Sequence, residues 1–264
     1  MLIDTHCHLT YTGLSENEEA VLFRAAAAGV TRAITIGTHL EDHPKALATA
    51  RRQAGVFVAL GVHPHHAAET PPGFEKEMER VLASEPKAVG VGECGLDYHY
   101  DFSPRPVQRA AFLVQLEVAR RLKLPVVLHV REAHADALAI LQDFSDLPLV
   151  VHCFTGNPAE CRAWLDRGAY LGITGIVTYK NAHDVRQAAT MVPADRLLLE
   201  TDAPYLSPEP VRKNKTNEPA NVFHIARFIA PLRGLSLEQL AQQTTTNAAR
   251  LFGQKLVTSE IRNL

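Results

Sequence analysis

Long hydrophobic runs are missing from this chain of 264 residues, and their absence argues against a membrane-spanning helix. No apolar stretch reaches the roughly 18 residues that crossing a bilayer requires, and the N-terminus has no charged segment leading into an apolar one. The expected setting is therefore cytoplasmic, with no membrane partner. An excess of charge of one sign is missing too: 27 Lys and Arg against 29 Asp and Glu leave a net charge of −2. A nearly neutral protein does not coat nucleic acid through its bulk field, so any nucleic-acid contact has to be local. Cysteine is scarce. Cys7, Cys94, Cys153 and Cys161 read as small buried hydrophobes in a reducing compartment, not as a disulfide framework. With 46% hydrophobic and 21% charged residues, the composition is that of an ordinary globular protein.

Eight short apolar runs are present: 2–5, 32–37, 56–61, 88–92, 126–129, 149–152, 169–173 and 197–201. Between them lie helical patterns over 18–28, 44–53, 74–84, 107–122, 135–144, 158–167 and 182–191, with two more at 222–229 and 237–251. Buried continuous strands alternating with amphipathic helices indicate parallel β-α units, and eight such units close into a TIM-type (β/α)8 barrel. Gly29 and Gly168 stand where helix C-caps are expected, and Ser236 with Gln239 forms a capping-box pattern. The segment 203–219 carries four prolines with Arg212, Lys213 and Lys215, and reads as a long ordered loop over the barrel mouth. No repeat or linker divides the chain, so one α/β domain over 1–264 and a monomer are expected.

The chemistry-bearing residues stand at the ends of these runs. His6 and His8 are spaced i, i+2 on the first strand and project from one face, so both imidazoles can reach one ion. Glu93, His129, His152 and Asp202 each end a later run. In a barrel the active site lies at the C-terminal strand ends, which is where all six stand. Alternation places Asp4 on the face of His6 and His8, Val89 and Val91 on that of Glu93, Val127 on that of His129, Val150 on that of His152, and Leu198 and Glu200 on that of Asp202; it turns Cys7, Cys94 and Cys153 away. Six ligands exceed one tetrahedral ion and suit two divalent ions roughly 3.5 to 4 Å apart, with Glu93 as the bridge. Nitrogen and oxygen donors without thiolate fit Mg, Mn or Zn. A water activated between the ions would be the nucleophile, with Asp202 both ligand and general base.

The chain resembles the TatD-family metal-dependent deoxyribonucleases, amidohydrolase-like barrels, from Met1 to about Gly253. The resemblance is carried by Asp4-Thr5-His6-Cys7-His8, Gly61-Val62-His63-Pro64-His65, Gly92-Glu93-Cys94-Gly95-Leu96-Asp97-Tyr98, Leu128-His129-Val130-Arg131, His152-Cys153-Phe154-Thr155-Gly156, Glu200-Thr201-Asp202-Ala203-Pro204-Tyr205-Leu206 and Asn217-Glu218-Pro219-Ala220-Asn221. It implies two divalent metals on the six ligands and hydrolysis of DNA phosphodiester bonds from the 3′ end, with single strands or 3′ ends as substrate. It also assigns His63 to the scissile phosphate. Arg131, Tyr205 and Tyr98 are candidates for the substrate groove, Glu200 for support behind Asp202, and His65 and His66 for loop positions. Family members often carry Arg-Gly-Lys-x-Asn-Glu-Pro. Here Arg212-Lys213-Asn214-Lys215-Thr216-Asn217-Glu218-Pro219 lacks the glycine, which leaves open whether Arg212 or Lys215 meets phosphate.

The same constellation would also serve a lactonase, a cyclic amidohydrolase, a phosphotriesterase or a D-aminoacyl-tRNA deacylase, because activated water attacks carbon or phosphorus alike. A glutamate at the bridging position, where many such hydrolases carry a carboxylated lysine, favours the nuclease. A purely structural metal module fits less well, since closed structural zinc sites are usually thiolate-rich.

Overall fold

The computed structural model describes residues 1–258; residues 259–264, included above in the single domain, lie outside the described residues. Eight parallel strands follow in chain order around one sheet: β1 (Leu2–Cys7), β2 (Val30–Gly37), β3 (Val56–Leu60), β4 (Ala88–Asp97), β5 (Val126–Arg131), β6 (Leu149–Val151), β7 (Tyr170–Ile173) and β8 (Leu197–Leu199). Beyond β8 the sheet closes on β1 through a parallel bridge between Cys7 and Ala203, where His8 N–H donates to Ala203 O at 2.7 Å and Asp202 N–H to His6 O at 2.9 Å. The seam of the barrel thus runs through the candidate ligands themselves.

Ile3, Ile34, Phe57, Val89, Val127, Val150, Tyr170 and Leu198, one from each strand, pack into a single cluster, which is the barrel interior. The helix Leu237–Phe252 supplies Leu251 and Phe252 to the same cluster. The opposite strand faces, among them Val58, Leu128, Val151 and Leu199, share a second and larger cluster with helix residues such as Leu116 and Trp164. Each large aliphatic side chain removed from water in these two layers contributes about 1.5–3 kcal/mol. The expected caps are present. Gly29 and Gly168 both have φ of 82°, the left-handed conformation glycine adopts without strain, and Ser236 and Gln239 form the capping box of the helix Leu237–Phe252. Among the described residues no helix is long and apolar enough to cross a membrane.

Two expectations of facing fail, and for one reason. Val91 belongs to the outer cluster with Cys7 and Cys94, and the Asp4 carboxylate accepts the Thr201 N–H and bonds the Thr201 hydroxyl while Ile3 takes the interior place. The ladders are irregular at these points. Asp4 and Cys7 pair with Ala33 and Thr35, so two residues of β1 oppose one of β2; Ala88 and Gly90 pair with the consecutive Val58 and Ala59, which leaves Val89 extra, and Gly92 and Cys94 pair with the consecutive Val127 and Leu128. Glu93 is therefore the extra residue of a bulge. Such an insertion inverts the alternation locally and re-aims a side chain. Strand β4 also runs on to Asp97, five residues past the apolar run that marks it in the sequence.

Candidate metal centre

Glu93 is the hub of the barrel mouth. Its Oε2 lies 3.3 Å from His6 Nε2, and its Oε1 lies 3.0 Å from His129 Nδ1, 3.3 Å from His152 Nε2 and 3.4 Å from His63 Nε2. One carboxylate thus presents separate oxygens to two sets of imidazoles. The local sequence permits the approach. A Cβ on Gly92 would meet Val127 O at 2.3 Å and one on Gly95 would meet His129 O at 2.0 Å, and both residues have φ above 130°. On the far side Asp202 Oδ1 stands 3.2 Å from His8 Nε2 and 3.7 Å from His6 Nε2.

The two sets are supported differently. His152 Nδ1 bonds Glu200 Oε1 at 3.1 Å, and a Cβ on Gly172 would lie 2.4 Å from that same carboxylate, so the glycine makes its room. His129 Nε2 bonds Asp97 Oδ2 at 3.0 Å. Each of these rings has one nitrogen on a supporting carboxylate and the other turned to Glu93. His6 and His8 have no such support: both nitrogens of His6 and Nδ1 of His8 are buried without a hydrogen-bond partner. A buried polar atom left unpaired costs about 1–3 kcal/mol. An orphaned His6 Nε2 aimed between the carboxylates of Glu93 and Asp202 is what a divalent cation at this point explains, so the residues fit the metal implied by the donor set.

Four trios draw their ligand atoms close enough for an ion: His6, His8 and Glu93; His6, His152 and Asp202; Glu93, His129 and His152; and His63, His65 and His129. Electrostatics agree with mutual dependence. Burial would raise the Glu93 carboxyl, and the adjacent His152, His63 and His6 outweigh it and hold it well below the usual range. Burial also opposes the Asp202 carboxylate, and its bond to His8 together with His152 and His6 holds its pKa down. His152, disfavoured as a cation by burial, is pushed up by Glu93 and Glu200. For His6 burial wins and the imidazole is pushed down.

Above the hub opens a cleft of two hollows, of about 290 and 650 Å³, that share His65, His129, His152, Asp202 and Tyr205. The structure thus brings His6, His8, His63, Glu93, His129, His152 and Asp202 into one cluster, with Arg131 and Tyr205 on the cleft walls. Arg212 and Lys215 do not line either hollow: the Arg212 guanidinium lies 3.9 Å over the Tyr179 ring, and Lys215 is exposed on the loop. Tyr98 does not face the groove. Its hydroxyl donates to Asp136 and Arg105 stacks on its ring. Cys153 does not turn fully away, for it lines the larger hollow with its thiol 3.5 Å from the Thr174 hydroxyl.

Asp97, His65 and Tyr100 went unrecognised in the sequence. His65 is more than a loop residue, since its Nε2 bonds Asp97 Oδ2 at 2.8 Å, the oxygen that also holds His129. The only signal for Asp97 was its place in Gly92-Glu93-Cys94-Gly95-Leu96-Asp97-Tyr98, at the end of a strand that the apolar run did not reveal.

Comparison with known proteins agrees with this geometry. The family model described as TatD related DNase matches residues 3–253. A relative from Cronobacter sakazakii, named 3′-5′ ssDNA/RNA exonuclease TatD, is 43% identical over 95% of this chain and 97% of its own length. Uncharacterized metal-dependent hydrolase YcfH of Escherichia coli K12 is 40% identical, with 95% of each chain covered. Among solved structures, YJJV, a TatD homolog from the same organism, superposes with a TM-score of 0.90 at 32% identity, covering 95% of this chain and 97% of that one. An organophosphorus hydrolase from Deinococcus radiodurans, at 17% identity and a TM-score of 0.67, shares the fold alone. With the barrel, the strand-end cluster and these matches in agreement, the chain belongs to the TatD related DNase family.

Proposed function

We propose that this protein is a metal-dependent nuclease that hydrolyses phosphodiester bonds of single-stranded nucleic acid from the 3′ end, with Mg, Mn or Zn in a two-ion site. The observation that carries the reading is Glu93, whose two oxygens face His6 on one side and His129 and His152 on the other. His6, His8 and Asp202 would hold one ion, His129 and His152 the other, with Glu93 between them. When bound, the ions would lower the pKa of a water and offset charge on the phosphate oxygens.

The protein's own groups supply the rest. Asp202, at the rim and oriented by His8, takes the proton from the attacking water as the new P–O bond forms. The bond from phosphorus to the departing sugar oxygen breaks, that oxygen is protonated from solvent, and Asp202 returns its proton to water. His63 Nδ1 accepts the His65 backbone N–H at 3.1 Å, so the neutral ring carries its proton on Nε2, aimed at Glu93 and the cleft. That N–H donates to a phosphate oxygen. Asp97 and Glu200 keep the rings of His129 and His152 in place. Arg131 and Tyr205 contact the substrate in the cleft, and Arg212 and Lys215 meet its phosphates farther out. The same reading takes 1–264 as one domain acting as a cytoplasmic monomer.

The test is to supply the metal-loaded protein with 5′-labelled single-stranded DNA, duplex DNA and RNA, beside a lactone and a D-aminoacyl ester. Stepwise shortening of the single strand from its 3′ end is expected, and chelation should abolish it. Turnover of the lactone or the aminoacyl ester with no cleavage of nucleic acid would overturn the reading.

A further inference from the structure

The segment following β4 carries two aromatic rings at the rim of the cleft that the reaction as described does not use. Tyr100 is 48% exposed and Phe102 67% exposed. They are stacked on one another, with ring centroids 5.3 Å apart and planes 22° from parallel. The Arg131 guanidinium lies 4.8 Å from the centre of the Tyr100 ring, and His65 and Phe102 meet in a T-shaped pair with ring centroids 4.8 Å apart. His65 in turn is 4.3 Å from His63 by ring centroids. The stack therefore begins one ring away from the residue assigned to the scissile phosphate, and Tyr100 and Arg131 already form part of the wall of the larger hollow.

The segment is built to hold these rings still. Asp97 Oδ1 accepts the N–H groups of both His99 and Tyr100, the buried Gln108 amide donates to Ser103 O and Asp97 O, and the Ser103 hydroxyl donates to His65 O. Asp101, in the left-handed conformation, is paired with Arg105. A fixed pair of stacked rings loses little entropy when a third ring is added. The charge at the rim suits an anionic chain: Arg131 has no carboxylate in ion-pair range among the described residues, and the nearby Glu132 is paired with His99 at 2.7 Å.

We propose that Phe102 and Tyr100, with Arg131, form a base-stacking platform for a nucleotide adjacent to the one being cleaved, with the base laid on the open face of Phe102 and its phosphate near Arg131. The platform rests on the nuclease reading for its ligand class and deepens it by naming where a neighbouring base is held, which an unpaired strand, whose bases can be splayed, allows. Stacking of this kind is tolerant of sequence, since every base offers a π-face.

Binding in the presence of chelator separates the platform from catalysis. The probes are a fluorescently labelled oligo(dA) strand and a deoxyribose-phosphate chain of equal length without bases, measured by anisotropy with the full-length protein. Wild type should prefer oligo(dA), Phe102→Ala should weaken oligo(dA) binding about tenfold with little change for the base-free chain, and Phe102→Trp should restore it. Equal affinity of wild type and Phe102→Ala for oligo(dA), or equal weakening for both probes, would overturn the platform. Preference for oligo(dA) that depends on Phe102, together with no cleavage when metal is added, would sink the nuclease reading and leave the platform standing.

Discussion

The two halves of the metal centre hold their histidines by different means. On the β1 and β8 side, His6, His8 and Asp202 are set by the backbone seam that closes the barrel, while His6 and Nδ1 of His8 have no hydrogen-bonded support. On the β5 and β6 side, His129 stands on β5 and His152 directly follows β6, two strands that pair in register, and a carboxylate, Asp97 or Glu200, fixes each ring. Where the chain closes on itself, main-chain bonds can aim a side chain. Where it does not, a second carboxylate does so. On the proposed reading, loss of the base in the first half should register in the chemical step, and loss of a carboxylate behind the second in metal retention.

The largest effect expected is at Asp202. Asn keeps an oxygen donor but loses the base, so Asp202→Asn should lower kcat by about 100-fold or more with little change in single-strand affinity; wild-type kcat would refute the assignment. In the other half, Asp97→Asn and Glu200→Gln should each weaken divalent-metal affinity by about 10- to 100-fold, measured by competition with a chelating dye. Equal metal affinity in the variants and wild type would erase the contrast. His63→Ala, which removes a donor to phosphate but no ligand, should leave metal content unchanged and slow turnover about tenfold. The smallest effects concern the seam. Asp4→Ala strips Thr201 of its partner and should cost about 1–3 kcal/mol of stability. Because burial pushes the Asp4 carboxyl up to about 8, Asn is a near match for its protonated form, and Asp4→Asn should melt close to wild type.

The barrel was legible because its signals are repeated and local. Apolar runs recur eight times and five of them lead into candidate ligands, and the capping box at Ser236 and the left-handed Gly29 and Gly168 are written in single residues. The cluster at the strand ends was legible for the same reason. What the pattern concealed lies at the bulges. Alternation presumes one residue per pair, and the extra residues near His6 and at Glu93 break it, which is why Asp4 and Val91 were placed on the wrong face. Asp97 and His65 were hidden because β4 continues past its last apolar run, through backbone pairing of Gly95 to Asp97 with His129 to Arg131 that leaves no mark in hydropathy. The exposed stack of Tyr100 and Phe102 depends on two rings meeting across a turn, which a linear pattern does not encode.

The central claim is that one carboxylate joins the two halves. Elemental analysis of wild-type and Glu93→Ala protein after equilibration with Mn and removal of free ion tests it directly. The account predicts two ions per chain in wild type and at most one in the variant, with His63→Ala retaining both. Equal metal content in wild type and Glu93→Ala would contradict it.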